Sequence, residues 1–132
     1  MPGQKLDFGQ AQIQVFNSAV SSGQIRYDAS AARQAAQLYD RAVETLKSIR
    51  DKLRDAENAQ GFGGFQTGKE LQSGFAKKAQ DGGETLAHLI DGALQLKEVY
   101  LRAGGLIQEA DKTSADRINQ AQSYGISGEG LA

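Results

Sequence analysis

The sequence predicts an all-α protein, an antiparallel helical hairpin with a short extra N-terminal helix, completing a bundle by dimerisation. Two long amphipathic stretches, from Asp28 to about Asn58 and from Thr67 to about Gln122, place apolar residues at every third or fourth position. They meet at a glycine-aromatic break, Gly61-Phe62-Gly63-Gly64-Phe65, which stops one helix and lets the chain turn into the next. At 132 residues there is length for one domain, here spanning 1–122. Ile, Leu, Val and Phe make up only about a fifth of the chain. A core that thin calls for a partner chain to complete it.

The first helix is expected at about 7–22. Asp7 with Gln10 has the form of a capping box, and Phe8, Ala11, Val15, Phe16, Ala19 and Val20 follow on one stripe before Ser21-Ser22-Gly23. Gln24-Ile25-Arg26-Tyr27 leads as strand or coil into Asp28, an N-cap residue. The next helix carries Ala35, Leu38, Ala42, Leu46, Ile49, Leu53 and Ala56 as the apolar face, with alternating charges over the remaining surface. Thr67-Gly68-Lys69-Glu70 is a second capping box, restarting the helix just after the glycine break. Leu71, Phe75, Ala79, Leu86, Ile90, Ala93, Lys97, Tyr100, Ala103 and Ile107 continue the stripe, with Leu89, Leu96 and Leu106 beside it. The expected hairpin interface is Leu38, Leu46, Ile49 and Leu53 against Leu71, Phe75, Leu86, Ile90 and Tyr100, and leftover apolar positions bury against the partner. Gly82-Gly83, Gly92 and Gly104-Gly105 each cost about 1 kcal/mol per glycine within a helix, so they mark bends, breaks or close contacts. Residues 123–132, rich in glycine and serine, read as a flexible C-terminal tail.

Composition excludes several functions. The net charge of -1, with acidic and basic residues interleaved, supplies no basic stripe for nucleic acid. No window reaches the length of a membrane span, and the N-terminal segment lacks the apolar run of a signal peptide. Without cysteine there is no thiolate chemistry and no cysteine metal site. His88, the single histidine, has Glu84 and Asp91 one turn to either side, but a bundle metal centre needs Glu-x-x-His motifs that are missing, so a solvated or partner-facing role is expected. Gly61-Phe62-Gly63-Gly64 lacks the Lys-Ser/Thr of a phosphate loop, and no serine pairs with histidine in a nucleophile motif. The chain therefore reads as non-enzymatic, with neither cofactor nor metal. Phe62 and Phe65 leave two options: they fold back as a plug over the hairpin end, or they stand at the tip as anchors for a partner groove.

Phe62-Gly63-Gly64, at the bend between two amphipathic helices, resembles the Trp-x-Gly turn of the small helical-hairpin substrates of bacterial type VII secretion, with Phe in place of Trp. The resemblance covers roughly Gln24 to Gln120, and Ile25-Arg26-Tyr27-Asp28 before an alanine-rich helix is similar to actinobacterial members. In that family the turn motif would comprise Phe62, Gly64 and Phe65. A C-terminal export pattern would comprise Ile107, Asp111, Ser114 and Ile118, with Ser114 at a position the family fills with a weak hydrophobe. The stricter Tyr-x-x-x-Asp/Glu form is absent. The resemblance implies a leaderless secreted or cell-surface protein, cytoplasmic before export. It also implies a homodimer or a heterodimer with another hairpin protein in a four-helix bundle, and a secretion ATPase or cognate toxin as further partner. The alternative is a cytoplasmic oligomeric helical-bundle adaptor or structural protein.

Overall fold

The computed structural model describes residues 6–58 and 61–124. It is all-α: α1 Gln10–Ser21, α2 Ala29–Glu57, α3 Gln66–Ala103 and α4 Ile107–Tyr124, with no strand among the described residues. The Asp7 carboxylate accepts the Ala11 N–H at 3.1 Å, but the N-cap position of α1 is Gly9, which has no side-chain cap. The capping-box spacing is not reproduced, because Phe8 and Gly9 are left-handed (φ 53° and 78°) and Gln10 is the first helical residue. The helix closes with a Schellman turn: Gln24 N–H donates to Ala19 O and Gly23 N–H to Val20 O, with Gly23 at φ 80° where a side chain would be strained. Asp28 caps α2 as expected, its carboxylate accepting from Ala31 N–H at 2.7 Å.

Helices α2 and α3 lie side by side. The Lys97 ammonium meets the Asp40 carboxylate at 2.7 Å, Val43 packs with Ile90 and Leu94, and Leu53 lies over Gly82. Near the far end, a Cβ on Gly104 would run into the Ala32 methyl. Numbers rise along α2 as they fall along α3, so the two helices run in opposite directions.

The rows that meet are not the expected ones. On α2 the buried positions are Ala32, Ala36 and Val43, with Tyr39, Leu46, Arg50 and Leu53 half-buried, a spacing of four and three that suits a helix seam. Leu38 and Ile49, expected in the interface, are 62% and 43% exposed, and on α3 Leu71 and Phe75 are 60% and 46% exposed. Leu46, Leu53, Leu86, Ile90 and Tyr100 do face the partner helix or its aromatic neighbours. The physical reason is closeness. At Gly104, the cap of α3, the helices approach so closely that α2 can present only small side chains such as Ala32. That sets the rotation of α2 and turns Leu38 out of the seam, while Gly82 makes room for Leu53 further along.

Gly82 and Gly83 stay helical, Gly82 admitting Leu53 and Gly92 admitting Ile13 of α1. Gly104-Gly105 breaks the stretch expected to run from Thr67 to Gln122. Leu106 N–H donates to Leu101 O at 2.8 Å and Gly105 N–H to Arg102 O, with Gly105 at φ 75° and Leu106 packed against Leu101: a second Schellman turn, after which α4 folds back along α3. The expected capping box at Thr67 is also corrected. The helix begins at Gln66 after Phe65, with no side-chain cap, and Glu70 accepts from the Gln66 amide instead. Gly68, one residue on, lies so close to the Phe62 carbonyl that no Cβ fits. The expected tail starts too early, since α4 continues to Tyr124; residues 125–132 lie outside those described.

Candidate interaction surfaces

Where α1, α3 and α4 converge, three polar side chains of one α3 stripe are buried: Asp91, Gln95 and Glu98, each 6–7% exposed. Gln95 donates to the Asp91 carboxylate at 2.6 Å. Arg117 of α4, 13% exposed, reaches Asp91 at 3.4 Å and Glu98 at 4.0 Å, and Arg102 pairs with Glu98 one turn along α3. The Arg117 guanidinium thus spans two carboxylates that α3 alone would bury at high cost. A cavity of about 260 Å³ opens beside this group, lined by Asn17, Gln95, Glu98, Ser114 and Arg117 among others. Elsewhere α4 meets the bundle through small residues, with Ala110, Thr113 and Ala121 buried, while Ile107 and Ile118 face outward.

Burial raises the Asp91 pKa above its usual 3.8, offset in part by the Gln95 hydrogen bond and then by the charges of Arg117 and His88. Because the folded pKa lies above the unfolded one, the folded chain binds more protons through the interval between them. The contribution of Asp91 to stability therefore falls as pH rises from about 4 through that interval. Asp91→Asn removes this dependence. In urea unfolding between pH 4 and pH 7, the stability of the variant relative to the parent is expected to climb with pH; a difference that stays flat would refute the assignment.

The second surface is the open flank of the α2–α3 pair. Through Glu109, α4 reaches Arg33 of α2 at 3.4 Å, and through Arg117 it reaches Asp91 and Glu98 of α3, so it covers one side of the pair. Each residue turns a helix by about 100°, which puts Leu38, Ala42 and Ile49 well around α2 from Arg33 and Asp40. Leu71, Phe75, Leu89, Ala93 and Leu96 are likewise turned away from Asp91 and Glu98 on α3. Both rows fall on the side that α4 leaves bare. The strongest apolar stripe of the sequence, Ala35 to Ala56, is centred on this flank and meets α3 only at its edge. At one end the flank is bounded by an aromatic cluster around Tyr100. Phe16 packs edge-on to it at 5.0 Å, Tyr27 stacks at 5.5 Å and Tyr39 lies at 5.7 Å. The sequence offered little sign of this cluster, since its members come from α1, the connector, α2 and α3.

At the turn the two phenylalanines separate. Phe62 folds back onto Phe75, ring centres 5.8 Å apart, while Phe65 is 86% exposed. A Cβ on Gly64 would meet nothing within 4 Å, and the positive-φ residues of the turn are Gly61 and Gly63. Ile107, Asp111 and Ile118 form an exposed row along α4, with Ser114 half-buried beside Arg117. His88 stacks on Phe8 at 4.8 Å, and Asp91 turns to Gln95 and Arg117. Among the described residues no group of three His, Cys, Asp or Glu side chains could hold a metal ion, and no helix is long and apolar enough to cross a membrane.

These features define an all-α, bundle-like protein with an exposed apolar flank opposite a folded-back fourth helix. No family model, curated protein or solved structure matches the chain.

Proposed function

We propose that the chain works without catalysis, through helix–helix pairing, as a leaderless type VII secretion substrate or export partner. In this role α2 and α3 form the hairpin, Phe62-Gly63-Gly64 is its turn, and a second hairpin, from another copy or a related chain, packs on the open flank to complete a four-helix bundle. The observation that carries this function is the exposure of Leu38, Ile49, Leu71, Phe75 and Leu89, all 40–62% exposed, on two adjacent helices. Isolated exposed aliphatics are ordinary, but a continuous apolar patch marks an interaction site. The phenylalanine anchor Phe65 at the tip offers a further contact.

In this proposal the export machinery reads the exposed row of α4. Deleting everything from Ile107 onward is a poor test, because it also strips Arg117 from Asp91 and Glu98. Ile107→Ser, Asp111→Ala and Ile118→Ser combined leave the buried face of α4 intact. In a host carrying the secretion system, this variant is expected to stay folded inside the cell by circular dichroism and to vanish from the culture supernatant. Export at the parental level would sink the assignment of that row. Retention of the parent chain within cells, even with a co-expressed partner hairpin, would favour the cytoplasmic adaptor.

A further inference from the structure

We propose that α4 is an exchangeable segment: in a second assembly of this chain, α4 of one copy docks on α3 of another and delivers its Arg117 to that copy's Asp91 and Glu98. This rests on the α3–α4 junction and is independent of pairing through the flank. The whole reversal is made by Gly104, Gly105 and Leu106. Gly105 has no atom within 4 Å of where a Cβ would lie, so its need for glycine comes from its φ of 75° alone. The apolar spacing that predicts a single helix runs straight through the junction, with Tyr100, Ala103 and Ile107 stepping by three and four. A helical conformation at three residues would therefore join α3 and α4 into one helix.

Because α4 folds straight back along α3, two opened copies can lie antiparallel about a twofold axis near the junction. Every contact of α4 then re-forms with the copies exchanged: Ala110 against Leu101 and Arg117 on Asp91 and Glu98 of α3, and Glu109 on Arg33 of α2. The buried carboxylates need a guanidinium from α4, and either copy can provide it. The closed form is held by the Schellman turn and by Tyr27 N–H donating to Ala103 O at 3.0 Å, a carbonyl that a continuous helix would engage internally. The balance between the two forms lies in these few backbone bonds and in protein concentration.

The absence of native cysteine makes the test direct. Arg33→Cys and Glu109→Cys chains, with native side chains 3.4 Å apart in the closed form, are unfolded together, refolded at high concentration and treated with a short bismaleimide. The expected product is a covalent pair of the two chains. Adding Gly105→Ala to both, which penalises the left-handed turn and favours helix, is expected to raise its yield by about tenfold. A chain bearing both cysteines must cross-link, within itself or between copies, which establishes that α4 is docked. Absence of the mixed pair, with and without Gly105→Ala, while that control links only internally, would overturn the proposal. Loss of the mixed pair on Leu38→Glu with Ile49→Glu would overturn it too, since the product would then come from the flank; persistence supports exchange.

Discussion

Arg117→Ala is expected to destabilise the folded chain by about 3–5 kcal/mol, the cost of breaking a buried ion pair from one side. For a domain of this size the melting temperature should fall on the order of 10–20 °C. The reason is local. Asp91 and Glu98 are both more than nine-tenths buried, and although Arg102 remains for Glu98, Asp91 keeps no arginine, only the Gln95 amide and the weaker influence of His88. Asp91, already raised in pKa, would then retain its proton to higher pH, so the loss should be greatest near neutrality and smaller in acid. Arg117→Met combined with Asp91→Leu should recover most of the stability, because an apolar pair of similar bulk needs no charge compensation. Thermal and urea unfolding of the parent, the single variant and the pair check this. A single variant within about 0.5 kcal/mol of the parent would mean that the cluster does not fasten α4.

The second large effect is on association. Leu38→Glu with Ile49→Glu is expected to weaken pairing through the flank at least about a hundredfold, because each carboxylate would be desolvated against an apolar partner surface. The monomer should be unaffected to within about 0.5 kcal/mol, since both side chains already face solvent. Size-exclusion chromatography with light scattering, alone and with a co-expressed hairpin partner, reads the first effect; circular dichroism reads the second. The flank is large enough for a stable complex: α2, at 29 residues, is roughly 43 Å long. Two helices side by side are about 20 Å wide, giving on the order of 800 Å² per partner. A parent chain that stays monomeric at every concentration and captures no hairpin would remove the flank as an interface.

Periodicity and turn chemistry made much of the fold legible. Asp28 marks the start of α2, Gly23 the end of α1, and the glycine break the connection between α2 and α3, each through local backbone requirements that a single sequence displays. The rotation of α2 was not legible. A stripe chosen by apolarity selects Leu38 and Ile49, whereas packing selects Ala32 and Ala36, because Gly104 at the end of α3 permits an approach that only a small side chain such as Ala32 can follow. Likewise Asp91, Glu98 and Arg117 look like ordinary surface charges in the sequence. Their burial depends on α4 turning back, and that turn rests on one left-handed glycine within an otherwise helical pattern.

The sequence by itself determined the all-α class, the place where α2 gives way to α3 and the presence of more aliphatic surface than one helix–helix seam can hide. These follow from side-chain period and glycine placement, which act over a few neighbouring residues. Only the tertiary structure decided which apolar row faces inward, that Phe62 folds back while Phe65 stands free, and that α4 covers one side of the pair and leaves the other bare. Those choices depend on how closely distant backbones approach and on which charges can be buried together, quantities set by contacts between residues far apart in the chain.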